Sequence, residues 1–269
     1  MWTTLALALA LQPAAPQPGS TGLTITNQRL THGHLGAVRK ENQFLPGDPV
    51  FLAFEVQGMK FDAAGKASCS IGMEVLDGTG QKIYRQAPRP QLARNFLGGN
   101  RLPFVVDLNV PLQQKPGEYT IKVIVEDQTA KASGEVTQKV RVLPADFGLV
   151  QLHTSTDAEG RAPRVPISVV GESLFVNFSV VGFGRDPSKK QPKVEVSLRV
   201  LDENGKATMA NPLQGKVDSD IPAELKLLPM QFALLLNRAG RFTVELSATD
   251  QVSGKTARLS FPLKVIAMD

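Results

Sequence analysis

The sequence contains a single cysteine, Cys69, among its 269 residues, so a disulfide bond within the chain is excluded. Aromatic residues are also scarce, with one tryptophan and two tyrosines, which argues against a stacking platform for sugars or single-stranded nucleic acid. No stretch reaches the roughly 18 consecutive apolar residues of a membrane-spanning helix. Only three histidines are present, which leaves little material for catalysis or metal binding.

The rest of the composition is typical of a folded, turn-rich protein. Hydrophobic residues make up 42% of the chain, and 23 glycines and 19 prolines supply turns. The net charge of +5 comes without the dense basic stripe of a nucleic-acid-binding protein, so we expect no nucleic-acid partner. The length suffices for two domains of about 120 residues each.

The N-terminal residues favour export. An apolar run at residues 2–11 is followed by the proline-rich sequence QPAAPQPGS, and Ala8-Leu9-Ala10 is similar to a signal-peptide cleavage site. No lysine or arginine precedes the run, which departs from the usual pattern. We predict a signal peptide and leader over residues 1–20, and an exported location that is periplasmic, cell-surface or secreted.

An internal duplication is the most informative feature of the chain. Residues 47–82 resemble residues 171–206, and PGEYTIKVIVED at 116–127 resembles AGRFTVELSATD at 239–250. The near-constant offset of these two separated blocks indicates a duplicated domain rather than a short-period repeat. We predict a first domain at residues 21–144 and a second at 145–269, with a short linker that Pro144 stiffens.

Both copies show the period of two that is typical of strands. In the first copy the inward positions are apolar: Val50, Leu52, Phe54 and Val56. Asp77-Gly-Thr-Gly and Asp202-Glu-Asn-Gly predict hairpin turns, because they lack the alternating oxygen ligands of a calcium loop. The pattern predicts an all-β fold, two tandem antiparallel immunoglobulin-like β-sandwich domains. Helix is expected only as one or two turns within 219–228 and one turn within 89–96.

One motif in each copy carries a family resemblance. Gly117-Glu-Tyr-Thr-Ile and Gly240-Arg-Phe-Thr-Val each open a strand that a hairpin connects to the last strand. This resembles the F–G hairpin of immunoglobulin-like domains, such as fibronectin-III-like and macroglobulin-like modules of exported bacterial proteins. The resemblance implies a tyrosine corner at Tyr119, whose hydroxyl would bond back to the main chain. Phe242 occupies the same place in the second copy and has no hydroxyl.

The sequence contains no complete catalytic or metal-binding constellation. His32, His34 and His153 lack a neighbouring cysteine or acidic cluster that would complete a metal shell, and we expect them to face solvent. No G-x-S-x-G motif is present. Cys69 aligns with Val194 at an inward strand position, where burial makes a thiol inert. We therefore expect no enzymatic activity, no metal and no cofactor.

Two surface features are candidate binding sites. Residues 84–101 carry four arginines and no acid, which we interpret as a loop suited to carboxylate or phosphate groups: Arg85, Arg89, Arg94 and Arg101. The equivalent residues 208–228 of the second copy mix both charges. Phe51 and Phe175 face outward in the strand pattern. They could mark a partner surface or be covered by a loop or the neighbouring domain.

These features favour a non-catalytic, exported structural or interaction protein that binds another protein or an envelope component through its sandwich loops. Three alternatives stay open: a carbohydrate-binding accessory module, a periplasmic chaperone that offers an edge strand to a client, and a hydrolase that uses the histidines. The fold by itself cannot choose among them.

Overall fold

The structure, a computed structural model, describes residues 22–267. The predicted leader lies outside these residues. The first half has eight strands: β1 (Thr24–Thr31), β2 (Gln43–Phe44), β3 (Pro49–Gln57), β4 (Lys66–Leu76), β5 (Lys82–Arg94), β6 (Arg101–Asn109), β7 (Gly117–Asp127) and β8 (Ala132–Val142). The second half has eight more: β9 (Gly148–Ser155), β10 (Ile167–Val169), β11 (Ser173–Val181), β12 (Val194–Leu201), β13 (Leu213–Val217), β14 (Leu227–Leu235), β15 (Gly240–Asp250) and β16 (Thr256–Ile266).

Each half forms two sheets with the same strand order. The first half has a sheet β1-β3-β6 and a sheet β2-β8-β7-β4-β5. The second half has the equivalent sheets, β9-β11-β14 and β10-β16-β15-β12-β13. Every pairing is antiparallel except the short pairs β2 with β8 and β10 with β16. The predicted all-β fold of two tandem antiparallel β-sandwiches is confirmed.

The alternating pattern places a separate apolar core inside each sandwich. The four inward side chains predicted on β3 are all buried, as are their counterparts Leu174, Val176, Phe178 and Val180 on β11. Each such side chain contributes roughly 1.5–3 kcal/mol when fully buried. Cys69 is buried too, and burial raises the pKa of its thiol, with the nearby charge of Asp127 adding to the effect. The prediction of a structural cysteine position inside the core is confirmed.

The tyrosine corner is present in the first sandwich. The Tyr119 hydroxyl donates to the Lys115 carbonyl at 2.8 Å and accepts from the Gln114 side chain at 2.7 Å. In the second sandwich the Arg238 guanidinium lies 5.3 Å from the Phe242 ring centroid, at the position equivalent to Lys115. A cation over the ring therefore stands where the first copy has a hydroxyl bond.

Both helix predictions are wrong, since no helix occurs within residues 22–267. Residues 219–228 contain a single turn, in which the Leu225 N–H donates to the Pro222 carbonyl at 3.2 Å, and Leu228 is already buried in β14. Residues 89–94 belong to strand β5. In both places pairing with a neighbouring strand outweighs local helix-start signals. Within the described chain, no helix is long and apolar enough to cross a membrane.

Candidate binding surface

The arginine-rich segment is a strand, not the predicted loop. β5 runs for 13 residues at the edge of its sheet, where it pairs with β4 alone and is exposed over nearly its whole length. The pairing runs from Leu76 opposite Lys82 to Lys66 opposite Arg94 and has two irregularities, of which one is a bulge, a shift between Ile71 and Met73. The equivalent strand β13 has only five residues. The first sandwich therefore has a long basic edge that the second lacks.

The four arginines do not converge on one pocket. Arg85 and Arg94 lie opposite outward-facing residues of β4, whereas Arg89 lies opposite the buried Ile71 and so points to the other face of the sheet. Arg89 is nevertheless exposed, because it lies at the free edge of the sheet. Arg101 opens β6 in the opposite sheet. The four side chains border the edge of the sandwich rather than form a cup around a small ligand.

Two of these arginines are matched by carboxylates. Arg85 lies 3.7 Å from Glu74, which also accepts a 2.6 Å bond from Lys82, and Arg101 lies 3.6 Å from Glu55. The Lys82 bond, with smaller contributions from the charges of Lys82 and Arg85, lowers the pKa of Glu74. Within residues 22–267, Arg89 and Arg94 form no ion pair. These two are the cations most available to a partner.

Prolines protect this edge against strand addition. Pro88 and Pro90 lie in the middle of β5, and the bulge falls beside Pro88. Neither residue has a backbone N–H to donate to an added strand. Prolines, charges and bulges are the usual means by which an edge strand avoids pairing with other chains. A partner is therefore better recognised by side chains here than by the main chain, which weakens the chaperone alternative.

An apolar turn, missed by the sequence analysis, projects from the end of β5. In residues 95–100, hereafter the apolar tip, Phe96 is 80% exposed and Leu97 is fully exposed at 100%. The Asn95 N–H donates to the Gly65 carbonyl at 2.9 Å, and its side chain donates to the Gly99 carbonyl at 2.8 Å. Gly98 has a φ of +74° and nothing within 4 Å of its Cβ position. The sequence signal was an apolar pair before Gly-Gly, flanked by two arginines.

Phe51 and Phe175 do not belong to this surface. Phe51 is half-buried and packs against the His34 ring, with centroids 5.3 Å apart, while Phe175 is half-buried in the second sandwich. Along β3, Gln57, the partner of Arg101, lies six positions after Phe51, a span of about 20 Å. The six residues predicted as binding candidates are thus distributed over at least three separate places.

The histidines occupy different environments. His34 is exposed, as predicted, and lies 3.8 Å from Asp107. His32 and His153 are half-buried and not fully solvent-facing, because the loop after β1 packs against β9. Burial, reinforced by the charge of Arg39, lowers the pKa of His32 to about 3. The described residues contain no group of three side chains able to hold a metal ion.

A buried polar cluster joins the two sandwiches. Arg39 and Asp48 of the first sandwich form an ion pair at 2.8 Å, and the other Asp48 oxygen accepts from the Gln151 N–H at 2.8 Å. The Gln151 side chain donates to the Gly47 carbonyl at 3.1 Å and accepts from Ser179 at 2.8 Å. Burial raises the pKa of Asp48, while Arg39 and Gln151 oppose that rise. We call these four residues, Arg39, Asp48, Gln151 and Ser179, the clasp.

One residue of the clasp has a strained backbone, and the second copy contains an equivalent of the clasp ion pair. Gln151 has a φ of +58° at a β-bulge, and Asn27 has a φ of +52° at the equivalent bulge of β1. The second copy also has a counterpart of the ion pair, Arg164 with Glu172 at 2.5 Å, but that pair is only partly buried. The clasp is filled by the protein's own groups, so we assign it to the joint between the sandwiches and not to ligand binding.

Comparisons with known proteins leave the family open. No protein-family model matches the chain, and no curated protein matches it in sequence. Red sea bream transglutaminase aligns over 91% of this chain and 31% of its own length, with 11% identity and a TM-score of 0.29. The C-terminal domain of the Streptococcus pyogenes antigen I/II-family protein AspA aligns over 90% of this chain and 99% of its own length, with 9% identity and a TM-score of 0.32. Similarities this low carry no functional argument.

Proposed function

We propose that this chain is a non-catalytic, exported interaction protein whose first sandwich binds an anionic partner in the cell envelope. Residues 1–20 serve as the leader, and the two sandwiches at 21–144 and 145–269 are its domains. The binding surface is the exposed basic face and edge of β5 together with the residues that open β6.

One observation carries the proposal: an uninterrupted basic segment is displayed on an edge strand. Residues 78–106 contain five lysines and arginines and no acid, and β5 exposes most of them. Arginine is well suited to carboxylate and phosphate groups because its planar fork donates two parallel hydrogen bonds. The guanidinium groups of Arg89 and Arg94 are available for such hydrogen bonds, because neither forms an ion pair within residues 22–267.

The test is affinity capture from an envelope fraction at low and high salt. The double variant Arg89→Ala with Arg94→Ala should bind the partner about thirtyfold more weakly at low salt, because each of the two lost charge contacts weakens binding by about 1 kcal/mol. High salt should release the partner from the parent protein, since exposed charges are screened within about 10 Å at 0.1 M salt. Circular dichroism should be unchanged in the variant.

A matched control comes from the second sandwich. Arg241 and Lys264 are exposed and lie opposite each other on β15 and β16. Replacing both by alanine removes the same charge from a different surface and should leave capture unchanged. Equal capture by the two double variants would contradict the assignment of the surface to β5.

A further inference from the structure

We propose that the apolar tip inserts into an anionic lipid membrane, so that the first sandwich docks on a bilayer surface through Phe96 and Leu97. The inference rests on the proposed function and names its partner class. It commits to lipid because the recognising feature is a convex projection with apolar side chains at its extremity and cations around its base.

The shape of the tip suits a bilayer interface. Phe96 and Leu97 are largely exposed, and Gly98 and Gly99 have open space at their Cβ positions. The Arg94 guanidinium lies 5.9 Å from the centroid of the Phe96 ring. An apolar pair held out this way gains most from a medium that surrounds it on all sides, as acyl chains do. A groove for a protein side chain would require the reverse geometry, a concave surface on this chain.

Exposed apolar side chains also occur along β5, and one of them, Leu92, lies close to the tip. Ile83, Tyr84 and Leu92 are all exposed, so five of the exposed large hydrophobic residues fall between positions 83 and 97. A soluble monomer seldom gathers exposed apolar residues in this way without a partner for them. Leu92 lies at the tip end of β5, whereas Ile83 and Tyr84 lie near its other end, so only Leu92 extends the apolar surface of the tip.

Charge around the tip favours an anionic surface. Five basic side chains lie at this end of the sandwich: Lys60, Lys66, Arg94, Arg101 and Lys131. Four carboxylates share the end: Glu55, Asp62, Glu126 and the buried Asp127. Glu126 accepts from the Ser70 hydroxyl at 3.2 Å, and Asp127 accepts from the Lys60 N–H at 2.6 Å. Glu55 pairs with Arg101, and Asp62 accepts from the N–H groups of Ala64 and Lys66. Within residues 22–267, Lys60, Lys66, Arg94 and Lys131 form no ion pair. Lipid phosphates attract each lysine or arginine near the membrane surface, so these four side chains are available to an anionic bilayer.

The position of the tip leaves it unobstructed. The clasp involves Gly47 and Asp48, just before the first residue of β3, whereas Gln57 at the last residue of β3 pairs with Arg101 beside the tip. The second sandwich is therefore at the opposite end of the first. The described chain begins at this end too, since Gly22 lies beside Gly58.

The experiment measures binding of the full chain to vesicles. The probes are phosphatidylcholine vesicles with and without phosphatidylglycerol, used in a flotation assay. We expect binding only when phosphatidylglycerol is present, and a loss of at least about tenfold for Phe96→Ser with Leu97→Ser. The control Met209→Ser with Leu235→Ser removes two exposed apolar side chains from the second sandwich and should bind as the parent does.

A fluorescent reporter separates insertion from simple attraction. The chain has one tryptophan, Trp2, so a variant with Trp2→Phe and Phe96→Trp reports from the tip alone. Its emission should shift to the blue with anionic vesicles and be quenched by lipids brominated on the acyl chains. The same reporter at Leu235 should do neither.

The outcomes separate this inference from the function on which it rests. No spectral shift, or equal flotation of the tip variant and its control, would overturn membrane insertion. If Arg89 and Arg94 were then still required for capture of a protein from the envelope fraction, the proposed function would stand with a protein partner. If capture were also independent of these arginines, both proposals would fail together.

Discussion

His32 shows how much one side chain is altered by the joint between the sandwiches. The loop after β1 places it against Leu152, Pro166 and Phe261 of the second half. Its buried Nδ1 has no hydrogen-bond partner in the described structure. Burial, with the charge of Arg39, lowers its pKa from 6.5 to about 3. The folded protein therefore holds a neutral imidazole across the mildly acidic range, where an unfolded chain would carry a proton.

This difference predicts weakening in acid. Between pH 6.5 and about 3, His32 binds a proton in the unfolded chain but not in the folded protein. The free energy of unfolding therefore falls as the pH decreases through this range. The slope from one such group is at most about 1.4 kcal/mol per pH unit. Urea unfolding at several pH values should show a shallower slope for His32→Gln than for the parent. A slope for His32→Gln equal to that of the parent would contradict the assignment.

At the level of elements, the strands that the sequence predicted well are those with a visible period of two. β3 and β11 alternate cleanly because one of their faces is core. β5 does not, since it is an edge strand exposed on both faces, and its two prolines resemble loop signals. The turn at 222–225 has helix-start residues, but pairing of β14 with β11 over nine residues decides the outcome. The local sequence does not determine which strand lies at a sheet edge or which distant strands pair. For this reason strand β5, the turn at 222–225 and the apolar tip were not predicted.

If Pro88 and Pro90 keep the exposed edge of β5 from pairing with other chains, replacing them should cause association. Pro88→Val with Pro90→Val restores two N–H donors and adds two strand-favouring side chains to an exposed edge. We expect the variant to associate through this edge and to sediment as larger species than the parent at the same concentration. Pro111→Val, at an exposed loop position after β6, should sediment as the parent does. Unchanged sedimentation of the double variant would mean that charge and the bulge suffice to guard the edge.

For the whole molecule, the clasp couples two units that the sequence presents as separate copies. The duplication and the short linker were visible in the sequence, but the partners Asp48 and Gln151 were not, because they are 103 positions apart and belong to different copies. Comparison of the copies offers a partial signal, since an arginine and an acid recur as Arg39 with Asp48 and as Arg164 with Glu172. Only the first pair is covered by the neighbouring sandwich.

This contrast predicts unequal costs for equivalent substitutions. Asp48→Ala leaves Arg39 buried without a counter-charge and should reduce the free energy of unfolding by about 3–5 kcal/mol. Calorimetry should also show two separate transitions, because the hydrogen bond from the Gln151 N–H to Asp48 between the sandwiches is lost. Glu172→Ala removes the counterpart in the more accessible pair and should cost clearly less than Asp48→Ala does, because water screens that pair. Equal costs for the two would show that the clasp adds nothing to the joint.

The parallel pairs at the margins of the two sandwiches bear on how the molecule responds to tension. In the first sandwich Gln43 and Phe44 pair with Arg141 and Val142, and in the second Ile167, Ser168 and Val169 pair with Lys264, Val265 and Ile266. Strands near the two ends of a sandwich that run parallel are dragged past each other when those ends are pulled apart. Their hydrogen bonds then bear the force together instead of opening one after another. A molecule held at one end by its first sandwich and pulled from the other would meet this shear resistance twice in series.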